Sequence, residues 1–153
     1  MAATSAHPNL IEDDASIDTL LTQTRRVAVL GVKPETHRQQ PAFYVPAYLV
    51  DAGLDVVPVP VYYPDITQIL GRPVFRSVTA IQPPVDLVDV FRRPQDLALH
   101  VDDLIAAQPK AVWFQLGIRN DAVALQLAQA GIRVVQDRCL MVDHRHWAAR
   151  RQA

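Results

Sequence analysis

The run RRVAVLGV spans residues 25–32 and turns at Gly31. From Val27 to Leu30 every residue is apolar and two are β-branched, which marks a strand buried on both faces rather than on one. The same kind of run returns four more times: LDVVPVPV at 54–61, VDLVDVF at 85–91, KAVWFQLG at 110–117 and IRVVQD at 132–137. Strands of this type need cover on both sides, and helical patterns lie between most of them. In AFYVPAYLVDAG (42–53), Phe43, Pro46, Ala47 and Val50 recur at helical spacing and Gly53 suits the C-terminal cap. Pro46 is expected in or near the first turn, where its missing N–H costs no helix bond. In PQDLALHVDDLIAAQP (94–109), Leu97, Val101, Leu104 and Ile105 form one face. In NDAVALQLAQAG (120–131), Asn120 is the expected N-cap and Gly131 the stop. Strands alternating with helices predict a single α/β domain over 16–153, a doubly wound parallel sheet of about five strands. Upstream, residues 1–15 lack periodicity and predict a flexible arm, with Ser16 capping a short helix through IDTLLTQT.

The 153 residues are half hydrophobic and one-fifth charged, and the formal net charge is −1. That balance offers no bulk attraction for nucleic acid or an anionic membrane, so neither is expected as a partner. There is no run of roughly 18 apolar residues, as a membrane span requires. The N-terminus has no basic start followed by an apolar stretch, so a secretory signal is not expected. One cysteine excludes an intrachain disulfide framework and agrees with a reducing, cytoplasmic setting.

In a doubly wound sheet, ligands bind beyond the carboxyl ends of the strands, where the strand order reverses. After the first strand, Gly31 permits close backbone approach, and Lys33, His37 and Arg38 add cationic donors suited to phosphate. The loop lacks G-x-G-x-x-G, failing at the second and third glycines. A classical NAD site also carries an acid at the end of the second strand, to hold the ribose diol. Here that end reads Pro58, Val59, Pro60 and Val61, with no acid before Asp65. An apolar, proline-stiffened edge suits packing against a base better than gripping a diol. Arg92 and Arg93 follow the third run, and arginine forks suit phosphate. Gln115 and Gly117 end the fourth run; an amide there is expected to bond within a pocket, whereas Trp113 and Phe114 are expected in the core.

Taken in order, RVAVLGV, DVVPVPV, GRPVFRSV, VDLVDVFRRP, AVWFQLGIRN and VVQDRCLMVDH follow one another as in the stand-alone CoA-binding domain family. That family is Rossmann-like and resembles the nucleotide-binding half of the succinyl-CoA synthetase α subunit. The resemblance runs from about Arg26 to Trp147, and its motifs are specific in combination. It implies coenzyme A or an acyl-CoA as ligand. The loop from Gly31 through Val32 and Lys33 to Arg38 would hold the pyrophosphate, and Pro58 to Pro60 would flank the nucleotide. Phe91 and Arg92 would line the middle of the groove, with Gln115 and Gly117 near the pantetheine. The chain departs from the family in its first loop. A small polar residue usually follows the glycine, and an Arg-Pro-Ser-like step precedes the helix. Here those positions read Val32-Lys33 and Arg38-Gln39-Gln40-Pro41.

Cys139 falls at the rim of the same groove. As a nucleophile it needs a base and an orienting partner, for which His144 and Asp143 are the nearest candidates in sequence. As a structural residue it is a small half-buried hydrophobe; beside the thiol of CoA it can also form a mixed disulfide under oxidation. His144 and His146, at i and i+2, point apart on a helix, so no metal site is expected. Three functions stay open on these grounds. The first is a CoA- or acyl-CoA-binding carrier, reservoir or sensor without catalytic machinery, which could dock on a protein partner. The second is a small CoA-dependent or thiol-handling enzyme using Cys139 and His144. The third is an NAD(H)-responsive regulatory domain.

Overall fold

A computed structural model describes residues 7–152. Five strands form one parallel sheet in the order β2-β1-β5-β6-β7: β1 Arg26–Leu30, β2 Asp55–Val59, β5 Leu87–Val90, β6 Ala111–Phe114 and β7 Arg133–Val135. The chain steps from β1 to one side, then returns to pair β5 against the other side of β1. Right-handed crossovers send the connecting helices to opposite faces when the direction of travel reverses. Helices α1 (Asp14–Thr22), α2 (Pro41–Asp51) and α5 (Leu140–Gln152) bury Ile17, Leu20, Phe43, Leu49 and Leu140 with Val27, Val29, Leu87 and Trp113. On the other face, α3 (Val101–Ala107) and α4 (Asp121–Gln129) bury Val101, Leu104, Ala124 and Leu127 with Ala28, Leu30, Val88 and Phe114. Trp113 and Phe114 are fully buried, as their apolar run implies.

Several local expectations change. The cap of α1 is Asp13 rather than Ser16: the Asp13 carboxylate accepts from the Ser16 N–H at 2.9 Å, and that bond and the helix N-terminus hold its pKa below the ordinary value. Part of the arm expected over 1–15 lies outside the described residues. Within it, residues 9–11 run beside edge strand β7, where Ile11 N–H donates to Val134 O and Val134 N–H to Asn9 O, both at 2.8 Å. They satisfy backbone groups that a bare edge would leave open. Pro46 sits in the second turn of α2, because Pro41 takes the first. The Ala42 carbonyl that Pro46 cannot reach accepts instead from the Lys33 N–H at 3.1 Å, so the proline ties the loop after β1 to the helix. Residues 94–107 begin as a 3-10 turn, Pro94–His100, before α3. Asn120 caps α4 as expected, accepting from Val123 N–H at 3.1 Å.

Between β2 and β5 a small antiparallel ribbon, β3 (Gln68–Ile69) and β4 (Arg72–Pro73), turns through Leu70 and Gly71, both at positive φ. Sequence reading identified no ribbon here, because Leu-Gly lacks the Asn-Gly signature of such turns. Leu70 is held by its N–H bond to Glu35 Oε2, at 2.8 Å, which fastens the ribbon to the loop after β1.

Candidate functional site

The strand order reverses between β1 and β5, so the crevice is expected beyond Leu30 and Val90. There the two strand exits touch. Gly31, at φ +89, donates its N–H to Val59 O at 2.9 Å, and a Cβ built on it would lie 2.3 Å from the Phe91 carbonyl oxygen. The missing side chain is therefore used by the protein's own backbone. The loop then makes a 3-10 turn at Glu35–His37 and enters α2 with no side-chain cap, since the Gln40 side chain bonds the Lys33 ammonium instead. A hollow of about 330 Å³ lies over residues 35–40, lined by His37 and Arg38.

Sharing Gln40 with that hollow is a cleft of about 300 Å³, walled by Pro41, Ala42, Tyr44, Phe91, Gln115, Leu116, Ile118 and Cys139. Four elements build it. The first turn of α2 brings Pro41, Ala42 and Tyr44, the exit of β5 brings Phe91, the exit of β6 brings Gln115 to Ile118, and the start of α5 brings Cys139. Gln115 is only 3 % exposed, and its Oε1 accepts from the Leu140 N–H at 2.9 Å. That bond fixes the amide's orientation and anchors the start of α5. Cys139 is half-buried, and its carbonyl accepts from Asp143 N–H. The Arg138 guanidinium grips Asp143 at 2.7 and 2.9 Å, and Trp113 Nε1 donates to Arg138 O at 2.7 Å. Asp143 and Asp14 hold that guanidinium firmly in its charged form.

The residues singled out from sequence divide accordingly. Phe91, Gln115 and Cys139 meet in the cleft, and His37 and Arg38 line the adjoining hollow. The Val32 side chain is buried in the core, as are Pro58, Val59 and Pro60 at the end of β2. Gly117 is exposed and its N–H is taken by Asp137 Oδ1 at 2.7 Å. Arg92 stacks on Tyr62, 5.5 Å from the ring centre, and donates from Nε to His100 Nε2 at 3.0 Å. Burial and the guanidinium together hold the His100 pKa below its ordinary value, keeping the ring neutral and able to accept. Arg93 is spoken for by Asp96 at 2.8 Å. The pair suggested for thiol catalysis is not assembled: His144 is buried with Nδ1 bonded to Tyr48 OH at 2.9 Å, and Asp143 serves Arg138.

Sequence reading missed Gln40, Pro41, Ala42, Tyr44, Leu116 and Ile118 as lining residues. The usable signal was the helix start after the Gly31 loop, since any α2 beginning there must face the crevice. A larger hollow of about 390 Å³ lies at the β7 edge, between residues 10–12 and Arg119, Asp137 and Arg138. Its cations Arg119 and Arg138 are matched by Asp121, Asp14 and Asp143, so it offers an anion little. The switch-point cleft is the better candidate.

No helix among the described residues is long and apolar enough to cross a membrane. The chain is 30% identical over 130 residues to the Bacillus subtilis (strain 168) "Uncharacterized protein YneT", covering 85% of this chain and 93% of that one. Among solved structures, it is similar to cell-free ID.343 from Thermus thermophilus, at 38% identity and TM-score 0.80, over 89% of this chain and 99% of that one. A hypothetical protein from Pyrococcus horikoshii OT3 matches at 31% identity and TM-score 0.79, over 90% and 93% of the two chains. Residues 25–145 match the model of the CoA binding domain, a span that holds the whole sheet and every wall of the cleft, and the chain belongs to that family.

Proposed function

We propose that this protein binds coenzyme A or an acyl-CoA along the switch-point groove, as a carrier, reservoir or sensor in a reducing cytoplasm, without turning its ligand over. The observation that carries the reading is the junction of two unlike halves at Gln40. One half is a polar hollow, where Arg38 and His37 stand with Glu35 beside a helix start that lacks a side-chain cap; the other is a mostly apolar cleft. A pyrophosphate suits the first and the thiol end of the pantetheine arm the second. The absence of catalytic work is supported by the commitment of His144 to Tyr48 and of Asp143 to Arg138. Calorimetric titration of reduced, ligand-stripped protein with CoA tests the reading. Saturable micromolar binding (roughly −8 kcal/mol) is expected, and no saturation at millimolar CoA would overturn it.

The arginines separate by their partners. Arg38 lies over the Phe43 ring, its charge matched by no carboxylate among the described residues, whereas Arg93 is paired with Asp96. Arg38→Ala should therefore weaken CoA about tenfold, the size of one charge-assisted contact (about 1.4 kcal/mol). Arg93→Ala should change affinity less than about twofold, since exposed pairs contribute little. Equal losses in the two variants, by the same titration, would mean the phosphates lie elsewhere.

Cys139 supplies a covalent check. In the proposed pose the CoA sulfur enters the cleft that Cys139 lines. Treatment with CoA disulfide should then yield one mixed disulfide: the Cys139 thiolate attacks one sulfur, and one CoA thiolate leaves. Intact-protein mass spectrometry should show a single CoA adduct, absent in Cys139→Ser and reversed by dithiothreitol. No adduct on the wild type would place the thiol end outside this cleft.

A further inference from the structure

The cleft's lining is chemically one-sided. Gln115 is its buried polar side chain; Oε1 is occupied by Leu140 N–H, and Nε2 has no partner among the described residues. Because the backbone N–H can only be met by the amide oxygen, the group turned to the ligand is a donor. Around it stand Pro41, Ala42, Phe91, Leu116 and Ile118, which neither donate nor accept through their side chains, together with exposed Tyr44 and half-buried Cys139. A donor amid mostly apolar walls favours a ligand end that accepts a hydrogen bond and is otherwise apolar. An amide of the pantetheine arm passes that test less well, because its N–H finds no acceptor among the apolar walls. A thioester passes it, since its carbonyl accepts, its sulfur is nearly apolar, and its acyl chain is hydrocarbon. Size agrees as well, because about 300 Å³ is at the low end of small-molecule sites and takes one end of a ligand rather than a whole cofactor.

We infer that this cleft is an acyl-thioester subsite, in which Gln115 Nε2 donates to the thioester carbonyl and the apolar walls hold a short acyl chain. The inference rests on the coenzyme A reading and goes beyond it, since it makes the protein an acyl-CoA binder that takes free CoA less well. Cys139 is then shielded by the acyl group.

The test varies the ligand, so that no variant has to fold. CoA, acetyl-CoA, butyryl-CoA and S-butyl-CoA, a thioether without the carbonyl, are titrated into the same reduced protein. Butyryl-CoA is expected to bind about tenfold more tightly than CoA, with acetyl-CoA between them. S-butyl-CoA should bind about three- to tenfold more weakly than butyryl-CoA, the range of one net hydrogen bond. Butyryl-CoA should also slow iodoacetamide labelling of Cys139 at least fivefold, read by mass spectrometry. If CoA binds and all four ligands bind alike, the acyl inference falls while the coenzyme A reading stands. Equal binding of thioester and thioether, or unprotected Cys139, likewise overturns the Gln115 subsite. If none of the four binds, the coenzyme A reading itself fails.

Discussion

Replacing Gly31 by alanine is expected to destabilise the fold by about 3 kcal/mol or more, and to abolish the proposed CoA binding in whatever folds. Two costs combine. A residue with a Cβ at φ +89 leaves the allowed regions, which costs roughly 1–2 kcal/mol. The new methyl group would also stand 2.3 Å from the Phe91 carbonyl oxygen and 3.0 Å from its carbon. Both are backbone atoms at the exit of β5, so relief requires β1 and β5 to part at the switch point. Gly53→Ala is the matched control. It has nearly the same dihedral, φ +93, with nothing within 4 Å of the added atom, so only the backbone cost applies. Urea denaturation of the two variants should place Gly31→Ala at least about 1–2 kcal/mol below Gly53→Ala. Equal losses would mean that the close approach of the two strand exits contributes nothing.

That contrast illustrates how far the sequence could be read. Gly31 and Gly53 look alike there, each a glycine at the end of an element, and both do carry positive φ. What distinguishes them is the strand 60 residues later that packs against only one, and no local pattern carries that. The sheet was legible because each of its strands is a continuous apolar run, while its order depends on contacts far apart in sequence. The candidate site was legible in its chemistry more than its geometry. Gln115 stood out as an amide ending an apolar strand, and it indeed anchors the cleft. Arg92 and Arg93 read as equals, yet one is half-buried on Tyr62 and His100 and the other is exposed beside Asp96. The end of β2 also reads differently in three dimensions. Its lack of an acid is plain in the sequence, but the burial of Pro58 depends on residues 68–76, where Phe75 N–H bonds the Pro58 carbonyl at 2.9 Å. Pro46 shows the opposite case. Its effect on Ala42 follows from helix geometry alone, once the helix start is known to be Pro41.

Asp89 is the residue that sequence reading passed over, and substituting it should make the protein more stable. Within VDLVDVF it looks like one polar break in an apolar strand. In the sheet it lies at the centre of β5, opposite Val29 on one side and Trp113 on the other, fully buried. Neither carboxylate oxygen has a hydrogen-bond partner among the described residues. Burial without a partner pushes its pKa well above the ordinary carboxylate value, because the charged form is the one desolvated. The sign of the pH dependence follows. Below the unfolded-state pKa near 3.9 the carboxyl is neutral in both states and exacts no ionisation cost. As pH rises, the unfolded chain ionises first and is favoured, so stability falls until the buried group's own raised pKa is passed. Asp89→Val removes the unpartnered oxygens and keeps a β-branched strand residue; it should gain about 1–3 kcal/mol at pH 7. Asp89→Asn should remove the pH dependence while retaining a buried dipole, and so gain less. Other acids bend the wild-type profile the other way: Asp86, which accepts from the Arg25 and Arg26 N–H groups beside Lys110, has a lowered pKa, so its contribution is lost as pH falls. The readout is therefore the difference in denaturation free energy between wild type and Asp89→Val at pH 5, 7 and 8.5. That difference should widen with pH. A constant difference, or a destabilised Asp89→Val, would mean that the carboxylate is charged and partnered in the native protein, and the strand centre would then have to contain a cation or an ordered water.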